Sequence, residues 1–201
     1  MIDPLTLLAF VPAALALNLT PGADMMFCLG QGMRFGPKAS VAASAGISLG
    51  GMVHVTLAGL GLGALVAAVP WAFDVIRWVG VAYLLWLAAQ TFRGGKKHQS
   101  GAVPPSAFRG ALIVSLTNPK VILFVLAFVP QFVVPEAGPV LIQFLIFGAV
   151  LSLGGFVINA LVGIFAGGLG RKLAGGGQAL RWISSGIFVA LAARLAVLER
   201  A

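Results

Sequence analysis

Two short stretches hold the residues best suited to chemistry: "NLTPGAD", residues 18 to 24, and "SLTNPKV", residues 115 to 121. Each sets a helix-starting signal beside one charge, Asp24 in the first and Lys120 in the second. Thr20 suits an N-cap. Pro21 suits the first helical position, where a missing N–H costs nothing, and Asp24 falls in the first turn, where the positive helix end favours an anion. In the second stretch Asn118 can cap, Pro119 takes the first position and Lys120 follows. A carboxylate and an ammonium so placed could receive a zwitterion, its α-ammonium at Asp24 and its α-carboxylate at Lys120 and the helix N-termini.

The elements that must position these charges are long and apolar. Of 201 residues, 60% are hydrophobic and 9% charged, with a mean hydropathy of +1.04, which excludes an ordinary water-soluble domain. Runs of about 20 apolar residues can cross a hydrocarbon core of roughly 30 Å as helix, whereas membrane strands would be shorter and alternate apolar with polar. Pro, Gly and charged residues divide the chain into six apolar spans, near 5 to 33, 39 to 68, 72 to 92, 108 to 133, 139 to 168 and 180 to 198. The expectation is an all-α integral membrane protein with six transmembrane helices. The N-terminus lacks the basic leader of a signal peptide and reads as a retained first helix.

Charge placement orients these spans. Arg34 and Lys38, then Arg93, Lys96, Lys97 and Arg109, then Arg171, Lys172 and Arg181 fall in loops on one side; Asp3, Asp74, Arg77, Glu136, Glu199 and Arg200 fall on the other. The positive-inside rule puts the basic loops in the cytoplasm and both termini outside, with Trp71 and Trp182 as interfacial anchors. The net charge of +8 is thus a topology signal and not a nucleic-acid footprint. Cys28, the single cysteine, has no partner for an internal disulfide and reads as packing.

Splitting the chain at the basic loop gives a first repeat over 1–92, a cytoplasmic loop over 93–107 and a second repeat over 108–201. "ALALNLTPGADMMFCL" lies over "ALIVSLTNPKVILFVL", and three crossings per half make the halves inverted. Inverted repeats whose first helices are broken at corresponding positions mark the binding site of many secondary transporters. Broken backbone at that depth is tolerated only against protein or a watery cavity.

Two readings of the breaks stand side by side: a facing pair of helix ends that binds an anionic group and a cation, or Pro kinks relieved by Thr and Asn side chains. Asp24 and Lys120 either serve a ligand or form a permanent buried salt bridge. His54 is a proton carrier or a hydrogen-bonded packing residue. Asn159 polarises substrate or bonds a neighbouring helix, and Gly46, Gly50, Gly51, Gly59 and Gly63 allow close helix packing or, less directly, a homodimer. The candidate substrate-binding set is therefore Asn18, Thr20, Pro21, Gly22, Asp24, Thr117, Asn118, Pro119, Lys120 and Asn159, with Asp24 and His54 for proton coupling. Neither a cofactor nor a metal is expected, and no catalytic residue.

"NLTPGADMMFCL", "GVAYLLWLA" and "LTNPKVILFVLAFVPQF" together resemble the lysine/threonine exporter (LysE/RhtB) family of bacterial cytoplasmic-membrane proteins, over nearly the whole chain. The resemblance implies export of amino acids or related metabolites in exchange for protons, and points to Pro21, Gly22 and Asp24 in the first motif and Asn118, Pro119 and Lys120 in the second. Family members more often carry Asn-Pro-Gly-Pro where this chain has Leu-Thr-Pro-Gly-Ala.

Other classes fit less well. An intramembrane protease would need Ser with His or two membrane acids, and a metalloenzyme a His-rich ligand set. A channel would show rings of charge or carbonyl motifs. A metal-ion or other small-solute exporter of the same architecture is the nearest rival, although one carboxylate beside one lysine is a poor cation site.

Overall fold

A computed structural model describes residues 2–68, 72–93, 106–166 and 178–197. Trp71, Lys96, Lys97, Arg171, Lys172, Glu199 and Arg200, and with them most of the basic loop, lie outside the described residues. The described residues are helical and contain no strand. In chain order they form α1 (Pro4–Leu19), α2 (Ala23–Phe35), α3 (Pro37–Ala68), α4 (Ala72–Phe92), α5 (Ala107–Leu116) and α6 (Pro119–Ala127). Two short 3-10 turns follow (Val129–Phe132 and Pro135–Ala137), then α7 (Val140–Ile164) and α8 (Gln178–Val197).

The first and fourth apolar runs are each broken. α1 meets α2 at a 56° bend and α5 meets the segment Pro119–Phe132 at 52°. The second break falls as expected, with Asn118 as N-cap and Pro119 opening α6; at the first, Thr20 ends α1 instead of capping α2, whose N-cap is Gly22, so Pro21 lies between the helices and not at the first helical position. Among the described residues, two helical stretches, Pro37–Gly61 and Val140–Ile164, are long and apolar enough to cross a membrane unaided, each of 25 residues; counting each bent pair as one span raises the total to four. At 1.5 Å per residue, 25 residues reach about 37 Å, enough for a core of roughly 30 Å. α4 and α8 occupy the third and sixth apolar runs.

Local signals account for the ends. Asp3 accepts from Leu5 N at 3.2 Å and Pro4 opens α1. Gly36, at φ 83°, ends α2 in a conformation that side chains resist and turns the chain into Pro37 of α3. Close approach needs glycine once more: Gly163 of α7 lies against Ser40 and the Cys28 carbonyl, and Gly32 of α2 against the Gly163 carbonyl, where a Cβ has no room. Gly46 and Gly50 face α5, and Gly51 and Gly59 face α7, so these glycines serve packing within the chain. Gly63 lies outside the residues whose surroundings are described.

Below the breaks, Phe10, Phe124, Phe128, Phe132 and Phe147 form one fully buried ring cluster joining α1, α6, the first 3-10 turn and α7, with centroids 4.7 to 5.9 Å apart. Edge-to-face and offset pairs of this kind add attraction beyond area burial. α4 packs on α8 through Ser185 Oγ, which donates to Ala88 O, and through Phe92 against Trp182. Large apolar side chains such as Leu5, Leu57, Ile113, Leu153 and Ile183 are also exposed on the outside. Helices apolar on both inner and outer faces suit apolar surroundings.

Candidate functional site

At the first break, Pro21 has no N–H to offer Leu17 O, its ordinary partner four residues back. Thr20 closes α1: its N–H and its hydroxyl both donate to Ala16 O, at 3.0 and 2.6 Å. Gly22 provides no capping side chain, so the first N–H groups of α2 begin uncapped. The second break repeats the scheme. Pro119 withholds an N–H from Ser115 O, and Thr117 donates through both N–H and hydroxyl to Ile113 O, at 3.0 and 2.9 Å. Here the cap is present: Asn118 Oδ1 accepts from Lys120 N at 3.0 Å.

At both breaks a side chain from the other half of the chain reaches a carbonyl that the proline deprives of its N–H four residues on. Lys120 Nζ donates to Leu17 O at 3.1 Å and to Thr20 O at 2.8 Å. Ser115 O keeps a backbone donor, Asn118 N at 3.1 Å, and His54 Nε2 lies 3.2 Å from it as well; a carbonyl only accepts, so this nitrogen carries the proton. Gly22 makes room for the lysine, since a Cβ there would sit 3.1 Å from Nζ and 3.3 Å from Cε. Asn118 Nδ2 donates to Asp24 Oδ1 at 2.8 Å, joining the two breaks directly. Among the described residues no ion pair links Asp24 to Lys120, so the permanent salt bridge left open by the sequence is not formed in this conformation.

Two adjoining cavities, of about 20 and 40 Å³, share Leu17, Asn18, Asp24, Val121 and Asn159 as walls. Thr20, Met25 and Lys120 complete the first; Ser48, Gly51, Ser115 and Ser152 line the second. A water needs about 10–15 Å³ on this measure, so the space holds a few waters and an amino acid requires the helices to part. Asp24 is 7% exposed and Asn159 5%. Asn18 donates to Leu151 O at 3.0 Å and lies against Gly154 and Gly155.

The structure therefore gathers Asn18, Thr20, Asp24, Asn118, Lys120 and Asn159 into one place, with Pro21, Gly22 and Pro119 shaping its backbone. Thr117 is exposed and bonded back onto α5, and His54 lines neither cavity. Sequence reading did not single out Ser48, Ser115 and Ser152. Serines spaced along apolar helices carry no signal of which face they occupy until the helices are packed.

Comparison with known proteins supplies the lineage. The family profile described as LysE type translocator matches residues 15–199. A homoserine/homoserine lactone efflux protein of Salmonella typhimurium is 35% identical over 145 residues, 70% of this chain and 70% of that protein. A leucine efflux protein of an Enterobacter species is 34% identical over 200 residues, 94% of each chain. An uncharacterized membrane protein of Vibrio cholerae is 36% identical over 135 residues, 64% of this chain and 65% of that protein. No solved structure gives a significant match.

Proposed function

The chain belongs to the LysE type translocators, transporters and not enzymes, and from that premise we propose that it exports amino acids across the bacterial cytoplasmic membrane by proton antiport. The observation that carries this reading is Asp24: a carboxylate buried where two helix breaks converge, bonded by Asn118 across the breaks and facing a polar cavity. A buried charge of this kind is expensive and marks a functional site in membrane segments.

In this reading Asp24 and the freed carbonyls Leu17 O and Thr20 O receive a substrate ammonium, while the uncapped N–H groups of α2 receive its carboxylate. Lys120 stands at the boundary of the two, Asn18 and Asn159 line the space, and Thr20, Pro21, Gly22, Thr117, Asn118 and Pro119 hold the backbone open. Protons are coupled through Asp24, with His54 behind Ser115 O as the second titratable group.

The halves 1–92 and 108–201 act as inverted repeats about the loop 93–107, six crossings in all, with both termini outside and lipid around the exposed apolar faces. Support comes from the two breaks: similar bends, the same Thr back-bond, and at each break a side chain from the other half that reaches a carbonyl of the interrupted turn. Rocking one half against the other would open the cavities to each side in turn.

The test is uptake by purified protein in liposomes of a panel of labelled amino acids that includes homoserine and leucine, with and without an imposed pH gradient. Uphill movement that needs the gradient and is lost in a folded Asp24→Asn variant is expected. Gradient-driven transport by Asp24→Asn at the wild-type rate would sink the reading.

A further inference from the structure

Lys120 is not where a partner for a substrate carboxylate would be. Its Nζ lies on two carbonyl oxygens, Leu17 O and Thr20 O, at 3.1 and 2.8 Å, on the wall of the cavity that Asp24 also lines. Carbonyl oxygens beside a carboxylate are acceptors only, a set of atoms that recognises a cation with several N–H donors. Among the described residues neither carbonyl has a backbone donor: Pro21 removes the one owed to Leu17 O, and Thr20 O lies past the end of α1. Gly22 leaves the lysine stem a slot along the break. An α-ammonium, also carrying three N–H groups, needs the same atoms, and two ammonium groups cannot share them in a site of low dielectric.

We propose that Lys120 is a tethered stand-in for the substrate's ammonium: in the empty carrier its Nζ fills the ammonium subsite, and substrate binding expels it. The proposal rests on the amino-acid reading above and assigns Lys120 to the opposite half of the site from the one its charge first suggests. Without it, the empty carrier would have to rock with unsatisfied carbonyls and an uncompensated carboxylate at its centre. The titratable groups facing this lysine are Asp24 on α2 and, beyond Ser115, His54 on α3; from α4 the Tyr83 hydroxyl donates to the Lys120 carbonyl at 3.3 Å and helps to hold the start of α6.

The two assignments of Lys120 predict opposite signs. If it competes for the ammonium subsite, Lys120→Ala binds the transported amino acid more tightly, with Kd lower by at least about fivefold, the low end of measured coupling between sites. If it pairs with the carboxylate, Kd rises, and an unchanged or raised Kd overturns the proposal. A second arm needs no amino acid: n-butylammonium, which copies the lysine side chain, should raise the Tm of Lys120→Ala and leave wild type unmoved. No rise in Lys120→Ala overturns the proposal as well.

Should Lys120→Ala fail to fold, acylation of the wild-type chain mapped by mass spectrometry decides: Lys120 should label faster with amino acid present, and an unchanged rate counts against expulsion. Wild type that moves no amino acid would refute the export reading, and the butylammonium arm would still report on the subsite.

Discussion

The Asn118 side chain donates to Asp24 Oδ1 at 2.8 Å while its own Oδ1 accepts the Lys120 N–H at 3.0 Å, so one amide both caps the second restart and ties it to the acid of the first. This one residue makes the two breaks a single site. Asn118→Ala should therefore cost about 1.5–3 kcal/mol for the bond to a charged group and about 1 kcal/mol for the cap, read as a lower Tm in detergent. Asn118→Asp keeps the cap acceptor but sets a second carboxylate against Asp24. It should stay closer to wild type in stability than Asn118→Leu and still lose transport; normal transport would show that the amide donor to Asp24 is dispensable.

Asn159 offers the reverse pattern. Its side chain lines both cavities and makes no hydrogen bond among the described residues, so little of the fold depends on it. Asn159→Ala should leave Tm close to wild type and weaken amino-acid binding by about tenfold, the equivalent of 1.4 kcal/mol. A variant that unfolds readily yet binds normally would make Asn159 a packing residue.

Pro119 separates the break from the rest of the helix. Pro119→Ala restores an N–H able to reach Ser115 O, in competition with Asn118 N and His54, and removes the reason for the bend. Helix content and Tm should hold or rise while transport falls. His54→Gln, which can still donate to Ser115 O, should keep Tm and amino-acid exchange but lose dependence on the pH gradient; retained dependence would leave His54 a packing residue.

Gly163 tests the scaffold. With Ser40 and the Cys28 carbonyl against it, Gly163→Ala must push α7 away from α2 and α3. Overpacking of this kind costs about 1–3 kcal/mol. The loss should appear in Tm and spread to transport through the wall that carries Asn159, one helical turn away; a Tm equal to wild type would mean that the helices separate freely at this point.

Much of this was legible beforehand because the signals are local. The apolar runs and the Pro near each break follow from backbone chemistry that acts within four residues; the second restart falls where those signals place it, whereas the first comes at Ala23, past Pro21, because Gly22 and not Thr20 precedes the helix. From two opposite charges at membrane depth the sequence leaves two outcomes open, a ligand between Asp24 and Lys120 or a permanent pair. The pair is not made in this conformation, because Asn118 bonds the acid and the carbonyls of Leu17 and Thr20 at the break hold the ammonium.

By itself the sequence determined that the chain is a helical membrane transporter with two interrupted helices, each carrying one charge, since apolarity and proline act on any neighbours. Only the tertiary structure decided which carbonyl each side chain reaches, that His54 stands behind Ser115 O away from the cavity, and that Ser48, Ser115 and Ser152 share its wall. Those outcomes depend on the rotation and depth at which helices from opposite ends of the chain meet. Glycine contacts such as Gly32 on Gly163 fix that register across more than a hundred residues, a distance over which no local propensity acts.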